Sequence, residues 1–182
     1  MELSPAQRYA AAKERSRLAK GVLGEFRRSL PFDLDPFQLQ ACTAVNDGHG
    51  VLVAAPTSAG KTIVGQFAAY LALSQQARCF YTTPIKALSN QKFAEFVEHF
   101  GAEHVGLLTG DNSINGEAPV VVMTTEVLRN MLYEGRDLAA LSHVVLDEVH
   151  YLADRSRGAV WGEVIIHVPA HTSVVALSAT VS

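Results

Sequence analysis

The segment Ala55-Pro56-Thr57-Ser58-Ala59-Gly60-Lys61-Thr62 has the chemistry of a phosphate cradle. Successive backbone N–H groups entering a helix N-terminus make an anion site. Lys61 supplies a cation for β and γ phosphates, and Thr62 offers a hydroxyl to Mg²⁺. Pro56, Thr57, Ser58, Ala59 and Gly60 supply the loop itself. Ala55 stands where the GxxxxGK[ST] pattern has its first glycine, which weakens the bare pattern. Its context restores the weight, because a short apolar run precedes it and a helical segment follows. A functionless Gly-Lys turn is the bland alternative.

A second cluster lies downstream, where Asp147-Glu148-Val149-His150 follows the apolar run 144–146. Adjacent acids at the end of a buried strand are costly unless they meet a cation or water. Asp147 is placed to hold Mg²⁺, usually through water, and Glu148 to orient or deprotonate an attacking water. A strand end turning into solvent also carries acids often. Ser178-Ala179-Thr180 follows the last apolar run, and a simple strand-end turn explains those three residues equally well when they are taken alone.

These residues need a scaffold, and the chain supplies a regular one from Val51 onward. Apolar, β-branched runs at 51–55, 79–83, 104–108, 120–123, 144–146 and 174–177 alternate with helical segments. The helices are expected near 61–73, 86–100, 126–134 and 159–167. Continuous apolar strands bracketing helices predict an α/β fold, a parallel sheet covered by helices on both faces. In such a sheet all the motifs fall on the edge at the strand C-terminal ends, where ligands bind.

The N-terminal part divides differently. Residues 4–20 read as a surface helix capped by Ser4, with Pro5 in its first turn and Gly21 as its stop. Residues 30–36 form an irregular linker, and Asp35-Pro36 opens a second helix reaching about Asn46. The expected division is an N-terminal helix and extension over 1–29 and one nucleotide-binding domain over 30–182.

Bulk composition sets bounds. The 182 residues, 48% hydrophobic, suffice for one well-packed domain. The net charge of −3 gives no average basic footprint, so contact with nucleic acid must rest on local groups. Cys42 and Cys79 sit among apolar neighbours with no CxxC or Cys/His cluster, and read as buried free thiols in a reducing compartment. No apolar run approaches the ~20 residues of a membrane span, and no signal-peptide core is evident. A cytoplasmic protein is expected.

In combination and order, these motifs resemble the superfamily-two helicases, in particular the DEVH-box branch of exosome-associated and superkiller-like RNA helicases, and within it the actinobacterial HelY type. The matching residues are Phe32 and Phe37-Gln38, 55–62, Thr83-Pro84-Ile85-Lys86-Ala87-Leu88-Ser89-Asn90-Gln91, Thr109-Gly110-Asp111, Thr124-Thr125-Glu126-Val127-Leu128-Arg129, 147–154 and 178–180. The resemblance implies a first RecA-like domain of P-loop NTPase type, with ATP and Mg²⁺ as cofactors. It implies that Gln38 reads the adenine edge and Phe32 packs on the base. Ordinary packing is the competing account of Phe32 and Phe37. It implies that Pro84, Lys86, Asn90, Gln91, Thr109, Gly110, Thr125 and Arg129 line a track for single-stranded RNA, or DNA in a repair helicase of the same architecture. For Arg129 a surface ion pair is an equal reading. His150 would couple ATP state to strand movement through Ser178 and Thr180.

The resemblance also implies a second RecA-like domain beyond Ser182, carrying an arginine that acts on the γ-phosphate. This chain by itself is therefore expected to be nearly inactive as an ATPase. One departure from the HelY pattern is Gly162-Glu163 after Trp161, where two glutamates are expected. A helical glycine costs about 1 kcal/mol relative to alanine. A nucleotide-binding interaction module without motor activity is the rival from another class, and Glu148 argues against it, because mere binding has no use for a water-orienting carboxylate.

Overall fold

The apolar runs form strands, and consecutive residues along them feed two separate cores. In the computed structural model, which describes residues 4, 6, 7, 9, 10, 13, 17, 20–56, 59–150 and 155–179 (of 155–159 the backbone only), seven strands make one sheet. They are β1 (Val51–Ala54), β2 (Arg78–Thr83), β3 (Val105–Leu108), β4 (Ser113–Ile114), β5 (Val120–Thr124), β6 (Leu141–Leu146) and β7 (Ser173–Ser178). The order across the sheet is β1-β7-β6-β2-β5-β3-β4. Every pairing is parallel except β3 with β4. The expected α/β class is observed.

Side chains alternate across each strand, so a strand buried on both faces needs apolar residues throughout. Cys79, Tyr81, Val120, Val122, Val145, Val175 and Leu177 enter one core. Phe80, Val121, Met123, Val144 and Leu146 enter the other. The first face is covered by α1 (Val22–Ser29), α2 (Pro36–Asn46), α3 (Thr62–Ser74) and α4 (Lys86–Phe100). The second is covered by α5 (Thr125–Tyr133) and α6 (Arg155–His167), which contribute Leu128, Met131, Trp161 and Val164.

Three features differ from the sequence expectation. Helix α1 lies where no element was expected, between the Gly21 stop and the 30–36 linker. Leu23 and Phe26, three residues apart, are fully buried, and the Phe26 ring lies 5.2 Å from both Phe67 and Tyr70. The core therefore reaches back to Leu23. Strand β4 is a two-residue antiparallel edge with both residues exposed, too short to leave an alternating pattern. Helix α6 starts at Arg155 rather than near 159 and runs through Gly162, where an added Cβ would meet nothing within 4 Å.

Of the helix expected over 4–20, the described residues 6, 7, 9, 10, 13, 17 and 20 are helical. The Gln7 N–H donates to Ser4 Oγ at 3.2 Å and the Ser4 N–H donates to Gln7 Oε1 at 2.8 Å, a reciprocal N-terminal cap. The rest of that expectation lies outside the described residues. Cys42 and Cys79 are free and buried, and burial pushes both thiols up to about 12. No helix among the described residues is long and apolar enough to cross a membrane.

Burial also holds His143, on β6, below the ordinary histidine range, and His99 shifts the same way for the same reason. A histidine that prefers to be neutral when folded binds its proton first in the unfolded chain. Its stability contribution is complete above about pH 6.5 and is lost as pH falls toward the lower folded value. Melting temperature is expected to fall as the buffer is taken from pH 7 to pH 5, with a shallower fall in His143→Phe. Equal slopes in the two proteins would rule out His143 as the cause.

Candidate active site

Each of the six parallel strands leads into a motif, and the parallel arrangement delivers them to one edge. Strand β1 feeds the phosphate loop, β2 feeds Thr83-Pro84, β5 feeds Thr125, β6 feeds Asp147-Glu148 and β7 feeds Ser178-Ala179. The β3 end adds Thr109 and Gly110.

The loop is built around Gly60, whose φ is +73°, a left-handed conformation open to glycine at no steric cost. A Cβ there would lie 2.8 Å from Gln38 Nε2. That contact has a purpose. The Gln38 amide donates to Gly60 O at 2.9 Å, and its oxygen accepts the Asp35 N–H at 2.8 Å. Gln38, only 5% exposed, thus ties the start of α2 to the phosphate loop. The Ala55 N–H donates to Ser178 O at 3.2 Å, which fastens the loop to the end of β7. Thr57 and Ser58 lie outside the described residues.

Lys61 follows Gly60 at the mouth of α3 and is 3% exposed. No hydrogen bond or ion pair to its ammonium is found among the described residues. A little-exposed cation without a protein counter-ion suits an anionic ligand such as a phosphate.

Asp147 is 7% exposed. Its Oδ2 accepts the Tyr81 hydroxyl at 2.6 Å and its Oδ1 accepts the Glu148 N–H at 2.8 Å. Burial, followed by the Asp147 charge, raises the Tyr81 phenol well above its usual range, so it stays a donor. Glu148 takes φ +57°, a left-handed conformation that costs a non-glycine residue about 1–3 kcal/mol. The bond from its N–H to Asp147 holds it there. Thr62, Asp147 and Glu148 line a cavity of about 330 Å³ together with Thr83, Gln91, Lys92 and Glu95. A hydroxyl and a pinned carboxylate facing one polar cavity are hard oxygen donors, the set Mg²⁺ takes.

His150 closes the circuit. The Ala179 N–H donates to Nδ1 at 3.1 Å, so a neutral ring carries its proton on Nε2. Nε2 lies 3.0 Å from Glu148 Oε2 and donates to it. His150 is thereby bonded to the backbone immediately after Ser178. Ser178 Oγ donates to Ala179 O at 3.0 Å. Thr180 and 151–154 lie outside the described residues.

The other expected site residues divide into three groups. Phe32 is 52% exposed and borders a cavity of about 460 Å³ with Arg27, Arg28 and Asp33, whereas Phe37 packs against the core. Thr125 is buried, and its hydroxyl donates to Thr83 O at 3.2 Å, joining α5 to β2. Thr109 Oγ1 donates to Asp111 Oδ1 at 3.1 Å.

Pro84 is half-buried and Asn90 exposed, while Gly110, also exposed, has nothing within 4 Å of an added Cβ. Lys86, also exposed, pairs with Asp111, and that bond, with the Thr109 hydroxyl, holds the Asp111 carboxyl below the usual range. Arg129 lies 3.9 Å from Glu163, the surface pair weighed above. Gln91 donates to Glu95 and borders the Asp147 cavity.

Sequence reasoning missed Tyr81. The signal was a phenol beside Cys79 and Phe80 in a strand expected to be buried on both faces, since a buried tyrosine hydroxyl requires a partner.

Comparison with known proteins agrees with this arrangement. The model of the family described as "DEAD/DEAH box helicase" matches residues 35–182. "Probable helicase HelY" of Mycobacterium leprae is 62% identical over 88% of this chain and 18% of its own length. "DExH-box ATP-dependent RNA helicase DExH15 chloroplastic" of Arabidopsis thaliana is 53% identical over 83% of this chain and 14% of its own. "Superkiller complex protein 2" of Homo sapiens is 49% identical over 90% of this chain and 14% of its own. The chain spans less than a fifth of the length of these relatives.

Proposed function

Because the chain belongs to the DEAD/DEAH box helicase family, we propose that residues 30–182 form the ATP-binding first RecA-like domain of a cytoplasmic, DEVH-box RNA helicase that couples hydrolysis to movement along a single strand. The observation that carries the reading is the circuit from Asp147 through Glu148 and His150 to Ala179. It joins the carboxylate beside the phosphate loop to the last strand of the sheet. RNA is favoured over DNA because a relative of 53% identity bears the name of an RNA helicase. Two buried free thiols fit a reducing compartment.

Bound Mg²⁺ would neutralise charge on the β and γ phosphates, with Thr62 and Asp147 as its holders. Backbone N–H groups at the mouth of α3, from Gly60 to Thr62, would face the phosphates across the loop that opens at Pro56, and Lys61 would pair with them. Phe32 packs on the base, and Gln38 must release Asp35 or Gly60 to read its edge. Glu148 Oε2 is held by His150, which leaves Oε1 to orient water and take its proton. A change at the γ-phosphate that moves Glu148 must move His150 and, with it, the Ser178–Thr180 turn. The second RecA-like domain of the same protein is the partner that reads that movement and completes the strand track.

On this chain the track consists of Pro84, Lys86, Asn90, Gln91, Thr109, Gly110, Thr125 and Arg129, mostly short polar groups at strand ends and helix starts. Such groups contact phosphates without many cations. Lys86 and Arg129 are its two cations, and each must leave an acid, Asp111 or Glu163, to reach a phosphate.

The test is binding of the chain to fluorescent single-stranded RNA and DNA, with and without ATP, across a salt series. Two released cations give a slope of log K against log salt near −1.4, from ~0.7 per phosphate on single strands. Expected are weak binding, RNA ahead of DNA, and ATP dependence that Lys61→Ala removes and Glu148→Gln keeps. Tight ATP binding with no nucleic-acid response at any salt would overturn the motor reading in favour of a nucleotide-binding interaction module.

A further inference from the structure

The fully buried Tyr81 is held by three elements at once. On its own strand β2 its hydroxyl reaches across to β6 and donates to Asp147 Oδ2 at 2.6 Å. From α3, Gly65 brings bare backbone against the ring, since a Cβ on Gly65 would lie 2.8 Å from Tyr81 Cε2. From α4, the Phe96 ring meets it edge-on at 5.0 Å, and the Lys92 ammonium lies 5.8 Å from its centroid. Lys92 is in turn fixed by Glu95 Oε2 at 2.5 Å, with its side chain 12% exposed. The phenol therefore has one orientation available. With the Glu148 N–H on Oδ1, it fixes both oxygens of Asp147.

We propose that Tyr81 is a positioning residue for Asp147: by occupying one lone pair of Oδ2 it aims the carboxylate into the cavity shared with Thr62 and so sets how tightly the site takes a divalent cation. The inference rests on the reading of Thr62 and Asp147 as the Mg²⁺ holders. A carboxylate free to rotate spreads its charge over several directions. One pinned at both oxygens presents its remaining lone pairs in a fixed geometry, which a small octahedral cation rewards. Partners of metal ligands typically change metal affinity by about 10- to 100-fold when removed. Lys92 extends the same argument to α4, whose first turns carry Lys86 and Asn90, because a shift of that helix moves the cation and the ring together.

The experiment is titration of the chain with a fluorescent ADP analogue at a series of Mg²⁺ concentrations, and in EDTA, for the unaltered protein, Tyr81→Phe and Asp147→Asn. Tyr81→Phe keeps the ring and removes one oxygen. Expected is a rise of roughly tenfold or more in the Mg²⁺ needed for half-maximal tightening, with EDTA affinity unchanged because Tyr81 acts through Asp147, which metal-free nucleotide binding does not use. The titration also counts sites. A variant that only unfolds lowers the number of sites and leaves the Mg²⁺ requirement alone, and that result would overturn the inference, as would a shift within twofold. If Asp147→Asn itself leaves the Mg²⁺ requirement unchanged, or the unaltered chain shows no Mg²⁺ dependence, the metal-site reading fails and takes this inference with it. A shift in Asp147→Asn with none in Tyr81→Phe defeats the inference alone.

Discussion

The 182-residue chain on its own is expected to hydrolyse ATP at least about 10³-fold more slowly than an intact helicase of its family. Phosphoryl transfer needs positioned charge more than covalent chemistry, and an arginine acting on the γ-phosphate contributes about 10³–10⁵ in rate. This site offers Lys61 as its buried cation beside the loop. Arg27 and Arg28 border the Phe32 cavity, and Arg129 lies beside Glu163 across the α5–α6 packing. The missing cation would be the γ-phosphate arginine that the family resemblance implies for a second RecA-like domain. The water-orienting carboxylate is also tied down here: Glu148 is held in a left-handed backbone and bonded to His150. The check is steady-state phosphate release by this chain beside a longer version that includes the second domain, at saturating ATP and single-stranded RNA. A turnover number for the short chain within tenfold of the long one would show that the site is already complete.

The fold was legible because both sheet faces are buried. Runs such as 120–123 are apolar throughout, and that pattern in alternation with helices has few solutions other than a covered parallel sheet. The phosphate loop and the acidic pair were legible for a different reason, since their chemistry lies in residue type at fixed spacing after a strand. The misses share a cause. Helix α1 shows only Val22, Leu23 and Phe26 as apolar anchors, followed by two arginines, and the partners of Phe26 include Phe67 and Tyr70, more than forty residues on. Tyr81 reads as one more strand residue until β6 brings Asp147, 66 residues away, within hydrogen-bond reach. Gln38 shows the same limit from the other side. Its type suits an adenine edge, yet both ends of its amide are bonded to protein, to Asp35 and Gly60. Spacing along the chain identifies residues able to do chemistry. Which lone pair each one spends is settled by strands that are neighbours only in space.

Lys61→Ala is expected to weaken ATP and ADP binding by between about 30- and 4,000-fold without lowering the melting temperature of the chain. Truncating one member of a buried, hydrogen-bonded charge pair costs about 2–5 kcal/mol, and each 1.4 kcal/mol is tenfold. Lys61 as a residue is 3% exposed, so a pairing with phosphate would take place where water screens little. Without ligand the fold has little to lose. No hydrogen bond or ion pair to the ammonium is found among the described residues, and Lys61, at the N-cap of α3, makes no side-chain capping bond. Alanine therefore removes no protein contact of the charged group. Affinity and stability should therefore separate, which a residue holding the loop together would not allow. The measurements are nucleotide titration and thermal melts of the free protein, compared with Gly60→Ala. That second change strains a φ of +73° and drives a Cβ against Gln38, so it should lower stability and affinity together. A Lys61→Ala protein that melts as early as Gly60→Ala would mean that the lysine is structural, and the phosphate reading of the loop would lose its main support.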